Sequence, residues 1–311
     1  MKPEIRLFGE SGLELDDLRK LLNRGLENTF IDRETFKRVI LEDPNHTLEL
    51  VYIAFLGEKP VGCLIGVYRK FPREYVEKHK SIAWIKEISI LPEVRGRGIF
   101  SILVKTFEER ASTDGKIVVR FSDFASWYFH PGLDIRYDFY LTEFLRKGYR
   151  KKGEVVDYEV DLKYLYLPPL IAEKERKRLE EGFVFRKAEK QESSKIAKWV
   201  NERFSAAWMT EAKMGLEREG AGVWIAEKNG EIYGFSVYGA LRPNWFGPIG
   251  VDPKARGKGL GTVLLYKSLF SLWEEGHRYI IIPWTEHLFF YTQLPGIKEI
   301  IHYYILEKKL E

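Results

Sequence analysis

The sequence predicts an α/β (α+β) fold made twice. Two similar domains follow one another, each a mixed, mostly antiparallel sheet flanked by helices with a single β-loop-α-β unit. Three observations predict this. The chain has 311 residues, about two domains at roughly 150 residues each. Apolar segments with the period of strands and of helices follow the same order in both halves. Finally, "PEVRGRGIF" (92–100) and "PKARGKGLG" (253–261) each join a strand-like segment to a helix-periodic one. Ile90 and Val251 stand equally far ahead of Arg95 and Arg256, which is the mark of an internal repeat.

Composition narrows the class. Apolar content of 45% supports real cores, and 31% charged residues keep the surface hydrated. The net charge of +4 is small for this length. Cations interleave with Glu, as in "IAEKERKRLEEG", so no basic face for nucleic acid is expected. One cysteine allows no internal disulfide, and six scattered histidines show no ligand spacing, so no metal is expected. No apolar run approaches the roughly 18 residues of a membrane span. The charged start "MKPEIRLFGE" lacks a signal-peptide core. A cytoplasmic protein without membrane partner is the expectation.

In the first half, "EIRLFGE" (4–10) is a strand and "ELDDLRKLLNRGLENT" (14–29) a helix. "ELVYIAFLGEKPVGCLIGVYRK" (49–70) is a hairpin and "SIAWIKEISILP" (81–92) a strand. After the loop come a helix over 100–111, the strand "KIVVRFSDF" (116–124), a helix over 137–147 and "GEVVDYEVDL" (153–162). In the second half, "FVFRKAE" (183–189) is a strand and "QESSKIAKWVNERF" (191–204) a helix. "GVWIAEKNGEIYGFSVYGA" (222–240) is a hairpin, since Asn229-Gly230 supplies the positive φ angles of a tight turn. "NWFGPIGVDP" (244–253) is a strand, followed by the loop, a helix from about Leu260 to Glu275 and the strand "RYIIIPW" (278–284). A short helix near 287–293 and the strand "EIIHYYILEKKL" (299–310) close the chain. Pro168-Pro169 and a charged helix that needs no core mark a connector. The expected domains are 1–165 and 183–311, joined by 166–182.

The glycine loops carry the chemistry. A helix start leaves amide N–H groups without partners and a partial positive charge, which together attract phosphate. Gly257, Gly259 and Gly261 have no Cβ to block a ligand, and Arg256 and Lys258 add charge. One such loop is as easily a tight turn; two in register favour a pyrophosphate cradle. Neither loop has the Gly-x-x-x-x-Gly-Lys-Ser/Thr spacing of a Walker loop. The spacing is Gly-x-Gly-x-Gly after hairpins, not the Gly-x-Gly-x-x-Gly on a first strand of a dinucleotide fold, which weakens that reading but leaves it open, since Glu286 sits near where a ribose-binding acid would stand.

At these residues the sequence resembles the GNAT superfamily of N-acetyltransferases, over nearly the whole chain as two domains in tandem. The family motif is Arg/Gln-x-x-Gly-x-Gly/Ala; "RGKGLG" (256–261) matches it fully, and "RGRGIF" (95–100) departs at Phe100. The resemblance implies acetyl-CoA as co-substrate and direct attack of an amine on the thioester. It implies cofactor contacts at Ile249, Val251, Arg256, Gly257, Lys258, Gly259, Leu260 and Gly261. In the first half it implies them at Ile90, Arg95, Gly96, Arg97 and Gly98. In "FFYTQLPG" it places Tyr291 as the acid for the thiolate, whereas the first half has Phe144 at that position. A catalytic second domain and a diverged first one follow. Pro248, between Gly247 and Gly250, suggests that the strand before the loop parts from a neighbour there.

The base is less defined. Glu286 and His287, just past a strand, are candidates or solvated helix-cap residues. Glu87 is a base facing a cleft or, the reading we favour, an exposed strand residue. Cys63 belongs to core packing rather than nucleophilic chemistry. "SWYFHPG" (126–132) is expected to pack rather than to line a substrate pocket. The alternatives to an acetyltransferase are an acyl-CoA sensor or scaffold without turnover, a tandem transferase using another acyl donor such as aminoacyl-tRNA, and, distantly, a nicotinamide dehydrogenase.

Overall fold

The structure is a computed structural model that describes residues 2–286 and 288–310. The chain divides into two units. Unit 1 holds Met1–Val155 and His302–Glu311, and unit 2 holds Val156–Ile301.

Unit 1 follows the expected order. Strand β1 (Glu4–Leu7) leads to helix α1 (Leu15–Gly25), whose start is a capping box between Glu14 and Asp17. Leu18, Leu21 and Leu22 on one face of α1 are buried, the period of an amphipathic helix. A short α2 (Arg33–Phe36) precedes the hairpin β2 (Val51–Leu56) and β3 (Lys59–Tyr68), and α3 (Arg73–His79) precedes β4 (Ile82–Ile90). After the loop come α4 (Ile99–Thr113), β5 (Val118–Phe121), the two-residue β6 (Leu133–Asp134) and α5 (Asp138–Arg146). The ladder β1-β2-β3-β4 is antiparallel, and β4 and β5 are parallel.

After a strand segment at 156–161, unit 2 continues through helix α6 (Pro169–Glu180), β8 (Val184–Lys187), α7 (Ser193–Arg203), α8 (Ala206–Glu217), β9 (Gly222–Lys228) and β10 (Glu231–Tyr238). Asn229 (φ 52°) and Gly230 (φ 80°) make the tight turn between β9 and β10 as expected. Then come β11 (Phe246–Val251), α9 (Leu260–Glu274), β12 (Tyr279–Thr285) and α10 (Leu288–Tyr291). Strands β8 to β11 form a four-stranded antiparallel sheet in the order β11-β10-β9-β8.

Two long strands are shared out between the units. In β7 (Arg150–Asp161), residues 150–155 belong to unit 1, while 156–161 pair with β12 in unit 2. In β13 (Ile297–Lys309), residues 297–301 belong to unit 2, while Leu306–Lys309 pair with β5 in unit 1. The units therefore differ from the sequential halves 1–165 and 183–311: each takes a strand segment from the other half. The helix expected as a connector lies within unit 2. Its Ile171 joins the core of Leu265, Leu269 and Ile280, and its Glu175 pairs with Lys267 of α9 at 2.7 Å. Ile171 is the buried residue of this charged helix.

In the aromatic run at 126–132, Trp127, Tyr128 and Phe129 are buried, whereas His130 and Gly132 line a small pocket in unit 1, which corrects the expectation that the run only packs. Cys63 is fully buried, and burial raises its thiol pKa, which keeps it protonated. Phe100 turns into the core and meets Phe144 edge to face at 4.8 Å.

Candidate functional site

Both units part their sheet beside the glycine loop, by different means. In unit 2, β11 and β12 meet at one parallel bridge, Trp245 to Ile281, where the Ile281 N–H donates to Asn244 O at 3.1 Å. Beyond it they belong to different sheets. Pro248 brings no N–H to a ladder, and Gly247 holds φ 115°, open only to glycine. Gly250, by contrast, does not weaken pairing: it stays in register with Phe235. It is glycine because a Cβ there would come within 2.5 Å of the Phe204 ring.

The direction of the β11 amides follows from the ladder. The Asp252 N–H donates to Tyr233 O across the β10 side at 2.8 Å. Alternation along a strand then turns the Val251 and Ile249 N–H groups to the other edge, where β12 has parted.

The loop itself is open. Gly257 (φ 78°) and Gly259 (φ 82°) sit in the left-handed region, and nothing lies within 4 Å of a Cβ built on Gly257. Gly259 is the N-cap of α9, and no side chain caps it. Gly261 lies one residue inside the helix, with Val251 and the Phe290 ring beside it; Leu260 points into the core. Lys254, Arg256 and Lys258 are exposed around this helix start. Among the described residues none of them has a carboxylate partner. Asp252, the nearest acid along the chain, is held by Arg203 at 2.8 Å.

Tyr291, 8% exposed, ends α10 between Tyr158, Phe246 and Phe290. Burial raises its pKa, and the neighbouring Tyr158 adds to the effect, so the phenol keeps its proton. Glu286 is exposed just past β12; His287 lies outside the described residues. Asp157, which the sequence did not single out, is buried in the same unit and accepts the Trp284 N–H at 2.8 Å.

In unit 1, β4 and β5 pair from Ile82 to Ile85 and then diverge, since Ser122 (φ 58°) turns the chain away. Here the gap is filled from within. The Leu91 N–H donates to Val61 O, so the Ile90 N–H faces the gap, as Val251 does in unit 2. That N–H donates to the Tyr140 hydroxyl at 2.8 Å, and the hydroxyl donates to Gly25 O at 2.9 Å. Gly25 presses so close to β4 that a Cβ there would lie 2.8 Å from the Ile90 nitrogen.

Arg95 is likewise engaged. It donates to both carboxylate oxygens of Glu27, at 2.5 and 2.9 Å, and to Gly25 O at 2.9 Å, over the Phe139 ring. The Arg95 guanidinium lowers the Glu27 pKa, which keeps its carboxyl ionised. Ile90 and Arg95, both expected on a cofactor, thus have partners in the chain. Gly96 and Gly98 keep positive φ with open space around them, and Arg97 is exposed.

Glu87 is 2% exposed, which corrects the exposed-strand reading. Every residue of β4 from Ala83 to Ile90 is buried: α1 lies against Ser89, and Leu26 and the segment 130–140 surround Glu87, on the face that alternation had assigned to solvent. Glu87 lines a small pocket with Leu26, Phe121, His130, Asp134 and Tyr137, and His130 Nε2 lies 3.7 Å from its carboxylate.

The geometry suits an anionic ligand at α9 and an extended arm along β11. Residues 219–294 match the model of an acetyltransferase (GNAT) domain, and residues 15–130 match that of the acetyltransferase (GNAT) family. No curated protein matches the sequence. Among solved structures, a GCN5-related glucosamine N-acetyltransferase region in a fungal multi-domain GH3 β-N-acetylglucosaminidase superposes with a TM-score of 0.79 at 16% identity. It covers 98% of this chain, which spans 38% of that protein. A GCN5-related N-acetyltransferase from Sphaerobacter thermophilus gives 0.68 at 14% identity, with 99% and 96% of the two chains covered. A tandem GNAT protein from the clavulanic acid biosynthesis pathway gives 0.68 at 14%, with 100% and 99% covered. At these identities the likeness is one of fold.

Proposed function

Since the chain belongs to the GNAT superfamily of acetyltransferases, as two such domains in tandem, and is accordingly an N-acyltransferase, we propose that unit 2 carries the transfer. It takes acetyl-CoA as donor and passes the acetyl group to an amine by direct attack. One contrast carries the assignment. The amide five residues before the loop arginine faces an open gap at Val251 and is consumed by Tyr140 at Ile90.

The residues fit the donor. The uncapped start of α9, Gly257, Gly259 and the cations Arg256 and Lys258 supply what a diphosphate needs. Ile249 and Val251 offer main-chain N–H groups to the arm that enters between β11 and β12. The amine must be neutral to attack, and exposed Glu286 accepts its proton, directly or through water. As the C–N bond forms, charge grows on the thioester oxygen, and a β11 N–H stabilises it. The C–S bond then breaks, the leaving thiolate takes the proton of Tyr291, and the phenolate recovers one from the acylated nitrogen, directly or through water, which leaves amide, thiol and a protonated Glu286.

Tyr291→Phe tests this. It removes the acid and leaves the ring packing, so thiol release from acetyl-CoA with an accepted amine should slow in kcat by about 10² with KM within about twofold. An unchanged kcat would remove Tyr291 from the reaction. If no amine in a broad panel releases thiol while acetyl-CoA still binds, the chain is a sensor rather than an enzyme of this class.

A further inference from the structure

The α9 loop has a fourth cation that the family motif does not contain. Lys174 stands on α6, 85 residues before Gly259 in the chain, and its stem crosses the loop. Its Cδ, Cγ and Cβ lie 3.2, 3.7 and 3.8 Å from the position of a Cβ on Gly259. The other charged side chains of this helix are paired. Glu173 meets Lys177 at 2.9 Å, Glu175 meets Lys267 at 2.7 Å, Arg176 meets Glu180 at 2.5 Å and Arg178 meets Glu181 at 2.8 Å. Lys174 is half-buried, and among the described residues it has no carboxylate or hydrogen-bond partner.

A lysine that lays its apolar stem along a surface keeps its ammonium at the stem's end. Here the stem runs over the N-cap of α9, whose amides already favour an anion. An ammonium brought to that point loses water and conformational freedom with no carboxylate to offset the cost. A phosphate oxygen at the helix start offsets it through a charge-assisted contact.

We propose that Lys174 is a donor-binding residue of unit 2 that contacts the diphosphate of the CoA thioester at the start of α9, beside Gly259. The inference rests on the reading of unit 2 as the donor site. It adds a residue from a segment that lies outside both matched stretches, 15–130 and 219–294. It also gives α6 a role besides its packing on α9.

Titration calorimetry with CoA and with 3′-dephospho-CoA on wild type, Lys174→Ala and Lys174→Arg tests it. Lys174→Ala should weaken CoA binding about tenfold, the loss of one contact to a charged group, while Lys174→Arg stays within about threefold. The weakening should be equal for 3′-dephospho-CoA, should shrink as salt is added, and should leave the unliganded melting temperature unchanged. If Lys174→Ala binds CoA as wild type does, this inference falls and the assignment of unit 2 stands. If the defect disappears with 3′-dephospho-CoA, the lysine serves the 3′-phosphate and the diphosphate contact is wrong. If wild type binds neither ligand, the donor-site reading and this inference fall together.

Discussion

Two tyrosines show how much one side chain decides. Tyr140 and Tyr291 both sit near the end of the β-loop-α-β unit, and burial raises both phenol pKa values, which keeps them protonated. Tyr140 spends its hydroxyl on the Ile90 N–H and Gly25 O, whereas Tyr291 lies among rings. The place of Tyr291 at the end of a short helix was legible because its segment is local. The Tyr140 link spans 50 residues and the Arg95–Glu27 link 68, and no local pattern announces either. Glu87 was misread for a related reason: strand alternation assumes one wet face, and Leu26 with the distant segment 130–140 covers it.

His46 gives a pH prediction at the same scale. Burial, then Lys86 and Lys70, hold its pKa down to about 4, against the pull of Asp43. Asp43 is itself bound by the buried ammonium of Lys86 at 2.5 Å. The folded state therefore takes up this proton later than the unfolded chain. The stability from His46 is complete above pH 6.5 and is lost as pH falls towards 4, by about 2–3 kcal/mol if nothing rearranges. Urea unfolding at pH 7 and pH 4.5 should show the loss, and His46→Gln should shrink it. An equal slope in the variant would assign the acid sensitivity elsewhere.

Among the elements, those built from local pattern were legible. The Asn229-Gly230 hairpin, both glycine-capped helices and the parted strand at Pro248 stand where the residues put them. Helix α6 was legible as a helix and not as a part of unit 2. Its placement depends on Ile171 reaching a core assembled from β7, α9 and β12. The fate of β7 and β13 was equally hidden. Each reads as one continuous strand, and a sequence does not say where along a strand its neighbours change. The two glycine loops share a proline, the arginine and two glycines at matching places, with nearly the same glycine φ, yet their surroundings separate them. In unit 1 a carboxylate neutralises the loop arginine; in unit 2, among the described residues, the loop cations stand without one.

At the scale of the molecule, the division of β7 and β13 sets what can fold alone. A fragment of residues 1–165 lacks the segment that pairs with β5, and with it Leu306, which is fully buried in the unit 1 core. An unpaired β5 edge and an opened core are costly. The fragment should show no cooperative thermal transition by circular dichroism, while the full chain does; a sharp transition in the fragment would mean that its own 156–161 segment folds back to replace the missing strand. The central claim, that one donor site exists and lies at the α9 loop, is tested most directly by titrating acetyl-CoA into wild type, Gly259→Glu and Gly98→Glu. We predict one acetyl-CoA per chain for wild type and Gly98→Glu, and none for Gly259→Glu, whose carboxylate stands beside Lys174 at the helix start. Two per chain, or binding lost in Gly98→Glu and kept in Gly259→Glu, would contradict the account.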